Sequence, residues 1–481
     1  MSDVASTAAV PLSVARPREL DHLLERFFWP LFGAIVALMA FNGFFALETT
    51  HIRDFDEARY GVAASEMLHS HSPLVTTYAG ETEYWNLKPP LGYWLLEASY
   101  VVFGETLFAL RAPAAISGLL LVALTILFTR RVAGAGVGLL AGLILATCFG
   151  FLGHHAVRNG DLDAPLALIL FPMLFVVPRL ATERWARLAL GLILGLAFLL
   201  KSFAILPYIA AAGIYCLATR GLNSWRWWLL PFTIASLIAV TWAAARTVAE
   251  DSGVFVHRMV VEDLLQRSTS EVDAPEGSSL WDYAGCLFDR MAPWPLVILA
   301  GLVMVGRGAR KNFVSKQLLL VWCYALIPVL LFSVVRTHHS WYIVPTYPAW
   351  AILAAVYLAD LYKRTQSSGV GRLVVAGVAV VGFLAGEARV VSQMMIHGRV
   401  TEGEVFLASL GDRSVPRGTR LDIAFTPSYS ERFILQVVDG YVLNEVKTSP
   451  ADPNTPEARY SLLVGRSQTY ALARSMASSV R

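Results

Sequence analysis

The chain has 481 residues, of which 56% are hydrophobic and only 16% charged. Soluble domains carry about 25% charged residues, so this apolar excess excludes a single soluble core and requires lipid as the solvent for many helices. The net charge of +3 is too small to point to nucleic acid. The four cysteines, Cys148, Cys216, Cys286 and Cys323, form no CxxC or Cys/His pattern that would suggest disulfides or zinc.

Residues 1–26 are polar, with Arg16, Arg18 and Arg26, and lack the short apolar core of a secretory signal. They read as a cytoplasmic tail leading into a retained span. About eleven apolar runs follow, near 27–48, 108–129, 133–153, 163–180, 186–200, 203–219, 227–248, 291–306, 317–335, 342–361 and 371–388. The stretch 186–219 is too long for one crossing. A lysine at mid-membrane costs about 2.5–3.5 kcal/mol, and a hairpin with Lys201 at its outer turn avoids that cost. Every second loop is short and basic: Arg130-Arg131; Arg179, Arg184 and Arg187; Arg220 and Arg226; Arg307, Arg310, Lys311 and Lys316; Lys363, Arg364 and Arg372. The positive-inside rule puts these loops and the N-terminus in the cytoplasm and the C-terminus outside.

The long loops 49–107 and 249–290 then face outward. In the first, Asp54-Phe55-Asp56-Glu57-Ala58-Arg59-Tyr60 opens a helical pattern. Asp54 and Glu57 have capping-box spacing, and Asp56, Arg59 and Tyr60 share a face. Capping explains Asp54. It leaves Asp56, Glu57 and Arg59 as charges held at a membrane boundary, which marks Asp56 for chemistry. Glu57 is either the cap partner or a supporting acid. Further on, Tyr84-Trp85-Asn86-Leu87-Lys88-Pro89-Pro90 precedes a short aromatic helix, ending at Phe103, that suits the interface. Lys88 fits a bound anion such as a lipid phosphate, against the simpler reading of a snorkelling lysine.

Three more segments bring polar groups to the same face. His154-His155-Ala156-Val157-Arg158-Asn159-Gly160-Asp161-Leu162-Asp163 ends the third span. Its two acids suit catalysis or substrate binding, although Asp163 before Pro165 also suits a helix start. Adjacent histidines rarely ligate from one helix face, so metal is weakly supported. Glu262-Asp263-Leu264-Leu265-Gln266-Arg267 offers a guanidinium for phosphate, or a local pair with Asp263. Arg336-Thr337-His338-His339-Ser340-Trp341-Tyr342 closes the ninth span. Five segments converging on one face predict a site between helices. Residues 389–481 are polar, with short alternating stretches at 421–425 and 433–438, and predict a small external α/β domain after a membrane domain of residues 1–388.

These motifs resemble the bacterial aminoarabinose transferase and protein mannosyltransferase family, polyprenyl-phosphate-dependent glycosyltransferases of the GT-C fold. Asp56-Glu57-Ala58-Arg59-Tyr60 is similar to the family's first acidic motif, and Lys88-Pro89-Pro90-Leu91-Gly92-Tyr93-Trp94 to its KPPLxYW stretch. Arg158–Asp163, Glu262–Arg267 and Arg336–Pro348 resemble its later motifs in order. His338 stands where lysine is usual, Trp341 where histidine is common, and Leu87 where a polar residue is usual.

The resemblance implies an all-α polytopic GT-C domain, an inverting transfer from a polyprenyl (undecaprenyl) phosphate carrier, and an envelope lipid, glycan or protein acceptor. It implies Asp56 as general base or transition-state stabiliser, with Glu57 and Asp163 as further acidic candidates. Lys88 and Arg267 would hold the carrier phosphate, with Tyr342 nearby. Arg59, Tyr60, Tyr84, Arg158, Asp161, Arg336, His338 and His339 complete the expected substrate-binding set. No nucleotide-binding loop is needed, no cofactor is assigned, and a divalent metal is left open. Two other readings compete. A transporter or flippase of a lipid-linked anion predicts repeats and mid-membrane charges, which the sequence does not display. A receptor-like assembly protein would bind its partner through the tail.

Overall fold

The computed structural model describes residues 18–49, 52, 55–153, 155–250, 252–266, 281–307, 316–335, 339–365, 368–396, 418, 420–423, 427–445, 460–464 and 470–474. Arg53, Asp54, His154, Arg267, Arg336, Thr337 and His338 lie outside these residues, as does the proposed Asp54 cap.

The first apolar run forms α1 (Phe28–Phe44). The long connection that follows contains α2 (Asp56–Ser70), a small hairpin of β1 (Thr77–Tyr78) and β2 (Glu81–Thr82), and the short helix α3 (Leu91–Phe103). α4 (Leu107–Ala133) starts on Thr106, whose hydroxyl accepts from the Ala109 amide at 3.1 Å, and ends on Arg130-Arg131. The cap and the terminal cations both suit the helix polarity. A turn at Gly134 (φ 98°) reverses the chain into α5 (Ala135–Ala146). α5 stops short of the expected 133–153 because the chain breaks around Cys148, and the next run is likewise divided, α6 (Asp163–Leu170) ending before Pro172. Proline cannot continue an α-helical ladder, so segmentation there follows from the sequence.

α7 (Arg184–Lys201) ends where Ser202 takes φ 45°, and α8 (Leu206–Arg220) and α9 (Leu229–Glu250) follow. α7 and α9 pack in parallel register: Ile234 and Ile238 occupy the space beside Gly191 and Gly195, where a Cβ would come within 2.8 Å and 2.5 Å of them. Small residues four apart let membrane helices approach this closely. Because α7 and α9 run the same way, the intervening α8 runs back, with the turn at Lys201-Ser202.

α10 (Asp282–Arg290) and α11 (Trp294–Arg307) meet at 105°. α12 (Lys316–Val334), α13 (Tyr347–Arg364) and α14 (Gly369–Ile396) complete the described helical body. Among the described residues six stretches are long and apolar enough to cross a membrane, or seven if the bent pair is one span, so this is a multi-pass membrane protein. That figure is smaller than about eleven because α1 and α5 have 17 and 12 residues and because residues 184–220 count once.

α14 runs through the expected boundary at residue 388 to Ile396. Beyond it, β3 (Arg420–Ile423), β4 (Val442–Glu445), β5 (Tyr460–Val464) and β6 (Tyr470–Arg474) form one sheet in the order β4-β3-β5-β6. β3 runs parallel to β4 and β5, and β6 is antiparallel to β5. The run 433–438 is a π-helical turn rather than the expected strand. It continues the helix that Ser428 caps, and Phe433, Leu435 and Val437 are buried.

Candidate active site

The first turn of α2 divides three charges among different surroundings. Asp56 is partly buried and points toward the loop 153–162, where it meets His155 and Asp161. One ligand-capable atom from each of the three lies within 4.8 Å of the other two. His155 holds φ 56°, an uncommon backbone state for a non-glycine residue. Its ring stacks on Trp341 with centroids 3.8 Å apart, and its Nδ1 lies 2.9 Å from Asp161 Oδ2. Trp341 stacks in turn on His339 at 4.4 Å, and His339 meets Tyr342 edge-on at 5.2 Å. The residues after the ninth expected span thus wall the side of the site that carries His155.

Burial, then the like charge of Asp161, raise the Asp56 pKa above the ordinary carboxylate range, while His155, Lys201 and Lys88 oppose the shift. Burial disfavours the charged form of His155, but Asp161 and Asp56 outweigh it and its pKa is raised. Two carboxylates and one imidazole are ligands that a divalent cation accepts with positions left open, so the trio fits such an ion.

Two lysines adjoin these acids. Lys88 Nζ donates to both oxygens of Asp263, at 2.8 Å and 3.0 Å, and Ser202 Oγ donates to Asp263 at 2.8 Å. Lys201 Nζ donates to both oxygens of Asp163, at 2.6 Å and 2.7 Å, with both residues buried. Lys201 is therefore not a solvent-facing turn residue. A buried cation needs a paired anion, and Asp163 supplies it.

Several expected site residues are committed to bracing. Phe55 stands at the N-cap of α2 without a side-chain bond. Glu57 is buried in a bidentate pair with Arg111, at 2.6 Å and 3.0 Å, and accepts the Gly160 amide at 2.9 Å. This ties the first acidic motif to the second through α4. The terminal nitrogens of Arg158 donate to the carbonyls of Asn42 and Phe45 at the end of α1, at 2.7 Å and 2.9 Å, where helix carbonyls lack partners. Arg59 pairs with Glu83 and lies against Tyr78, Trp85 and Tyr429. Tyr60 is buried beside Tyr93, and burial with nearby Asp56 raises its phenol well above the ordinary value. Tyr84 donates to Glu250, which also accepts from Arg246.

Sequence reasoning gave the His154–His155 pair little weight as ligands, offered Asp263 to Arg267 rather than to Lys88, and passed over Lys201 as an ion-pair member and Arg111 as the partner of Glu57. One signal was present: Lys201 stood in an apolar stretch, at a cost that demands an explanation. The others needed contacts between residues far apart in the chain.

The arrangement of the helical body is a fold of the GT-C type. Residues 87–244 match the dolichyl-phosphate-mannose-protein mannosyltransferase family. An undecaprenyl phosphate-alpha-4-amino-4-deoxy-L-arabinose arabinosyl transferase of Serratia proteamaculans is 28% identical over 347 residues, covering 70% of this chain and 60% of that protein. Its counterpart in Aeromonas salmonicida is 30% identical over 322 residues, covering 64% and 56%. The chain thus spans about three-fifths of the length of these relatives. The crystal structure of ArnT from Cupriavidus metallidurans bound to undecaprenyl phosphate superposes with a TM-score of 0.69 at 21% identity, covering 89% of this chain and 87% of that one. An Archaeoglobus fulgidus oligosaccharyltransferase gives 0.54 at 12% identity, covering 87% and 64%. The chain is thus similar in sequence to aminoarabinose transferases and, over residues 87–244, to the dolichyl-phosphate-mannose-protein mannosyltransferase family, and similar in fold to ArnT.

Proposed function

We propose that the protein is an inverting glycosyltransferase of the bacterial inner membrane. It moves a sugar from a polyprenyl phosphate carrier to a hydroxyl or phosphate of an envelope lipid, glycan or protein. The observation that carries this reading is the grouping of Asp56 with Asp161, His155, Lys88 and Lys201, which supplies a carboxylate and cations at one place. The relatives' names supply the carrier class. The basic loops put this cluster and the C-terminus on the extracytoplasmic side and the N-terminus in the cytoplasm. The membrane domain carries the chemistry, and the sheet-containing tail forms the small outer domain.

For a hydroxyl acceptor, Asp56 takes the proton as the acceptor oxygen attacks the anomeric carbon. The bond from that carbon to the carrier phosphate oxygen breaks, and the electron pair leaves with the phosphate. A single displacement inverts the anomeric centre. Lys88, Arg267 and Tyr342 receive the growing phosphate charge, while Lys201 holds Asp163 in place beside the substrate. His339 and Trp341 form the adjoining wall through their stack on His155, and the resemblance adds Arg336 and His338 to the substrate-binding set. A divalent ion at Asp56, His155 and Asp161 would add positive charge beside the leaving group.

In proteoliposomes with a radiolabelled polyprenyl-phosphate sugar, we expect a sugar-bearing acceptor and free polyprenyl phosphate. Carrier crossing the bilayer with no such product would replace this reading with the transporter. Lys88→Ala should raise KM for the carrier by roughly 10- to 100-fold, the loss of one charge-assisted hydrogen bond. An unchanged KM would remove Lys88 from the phosphate site. On chelated protein, calorimetry should register one Mn²⁺ site that Asp161→Asn abolishes. Equal binding in the variant would exclude the trio as its ligands.

A further inference from the structure

The membrane domain and the C-terminal segment meet along α2. Asp56 begins that helix, and the residue before it, Phe55, holds φ 70° and ψ −116°. That backbone state is unfavourable for an aromatic residue and persists only where surroundings enforce it. The Phe55 ring lies 5.2 Å from Tyr429 and 6.4 Å from Trp85, centroid to centroid. One turn on, the Arg59 amide donates to the Phe55 carbonyl at 2.9 Å. The Arg59 guanidinium lies 4.4 Å from the Tyr78 ring, 4.6 Å from Trp85 and 4.9 Å from Tyr429, and is 8% exposed as a residue. Tyr429 therefore touches both residues that flank the Asp56 turn.

Tyr429 is itself held. Ser428 and Glu431 form a reciprocal capping box around it, at 2.9 Å and 3.3 Å. The same segment continues down α2. A Cβ on Gly61 would come within 2.4 Å of the Phe433 ring, and Gln436 donates to Glu66 at 2.8 Å. Contacts at Phe55, Arg59, Gly61 and Glu66 run from the start of α2 past its middle.

We propose that the 428–438 segment of the outer domain is a brace for the catalytic loop, and that Tyr429 is a positioning residue that holds Asp56 through Phe55 and Arg59. Cation–π stacking fixes the guanidinium plane, which fixes the first turn of α2. The strained Phe55 backbone then sets the direction of the Asp56 carboxylate. The catalytic part of this proposal rests on the transfer reading above, while the brace itself does not.

The test uses the full chain in nanodiscs, with Tyr429→Ala and Tyr429→Phe. Hydrogen exchange at the amides of residues 57–61 should speed about tenfold in Tyr429→Ala and stay near wild type in Tyr429→Phe, which keeps the ring. For transfer, Tyr429→Ala should lower kcat by roughly 10- to 100-fold, the scale of a small misplacement of a reacting group. KM for the carrier should stay within about twofold, and Tyr429→Phe should restore most of kcat. Unchanged exchange in Tyr429→Ala overturns the brace. Faster exchange with unchanged kcat, or equal loss in kcat and folded yield that Tyr429→Phe does not restore, overturns the positioning role. A wild-type protein with no transfer would defeat the enzymatic reading alone, because the exchange result is read without it.

Discussion

Asp56→Asn should lower kcat for sugar transfer by roughly 10²- to 10⁴-fold, the usual contribution of a general base, while leaving the protein folded and the carrier bound. Asparagine matches the carboxylate in size, and Asp56 holds no helix together: the cap position is Phe55. Steady-state kinetics on the purified variant decide the matter, and transfer at the wild-type rate would end the assignment. The pH profile adds an independent reading. A base must be ionised, so the rate falls as pH drops through its pKa. Burial and the Asp161 charge raise that pKa, so the acid limb lies above the range of an ordinary carboxylate. Asp161→Asn removes the like charge, lowers the pKa and moves the limb to lower pH, measured on chelated protein. Burial is the larger cause and persists in the variant. The limb therefore moves only part of the way. A limb that stays put or moves up would show that Asp161 does not act on the base.

Arg111→Ala should have the opposite signature, loss of fold rather than loss of chemistry. It removes the partner of Glu57 where both side chains are nearly inaccessible, with 1% and 0% exposure. Breaking a buried pair from one side costs about 3–5 kcal/mol, because the remaining charge is left in an apolar interior. The Arg111 guanidinium also holds the Leu47 carbonyl at 2.7 Å, so the end of α1 loosens with it. Thermal unfolding in detergent should register a large drop in midpoint and in folded yield. Stability equal to wild type would mean that water or another cation reaches Glu57. The two variants separate adjacent acids: Asp56 is tested by rate, and the Glu57 partnership by stability.

These two residues also show how far a sequence carries. Both acids stand in one motif, and spacing alone gave Glu57 two readings, cap partner or supporting acid. Its partner proved to be Arg111, 54 residues on. No local pattern marks that pairing, since Arg111 sits in an apolar helix with no other sign of a role. Arg158 and Arg59 belong to the substrate-binding set that the resemblance implies. One donates to carbonyls at the end of α1, and the other lies within a ring of aromatics, Tyr429 among them, about 370 residues away. Lys201 was the opposite case. Its energetic cost was legible, but its partner Asp163 was not.

The sequence by itself determined that the chain enters a membrane many times. Composition and run length fix that, because a backbone in lipid must satisfy its own hydrogen bonds within helices. It also determined that acids and cations collect on one face, because charged residues are excluded from the apolar runs and kept at their ends. Only the tertiary structure decided which charges pair with each other and which remain grouped around Asp56. Ion pairing falls off with distance through space and is indifferent to distance along the chain. Helix packing alone brings Asp163 to Lys201 and Asp263 to Lys88. Helix packing also sets Asp56 against His155 and Asp161, and lays residues 428–438 against the helix that Asp56 begins.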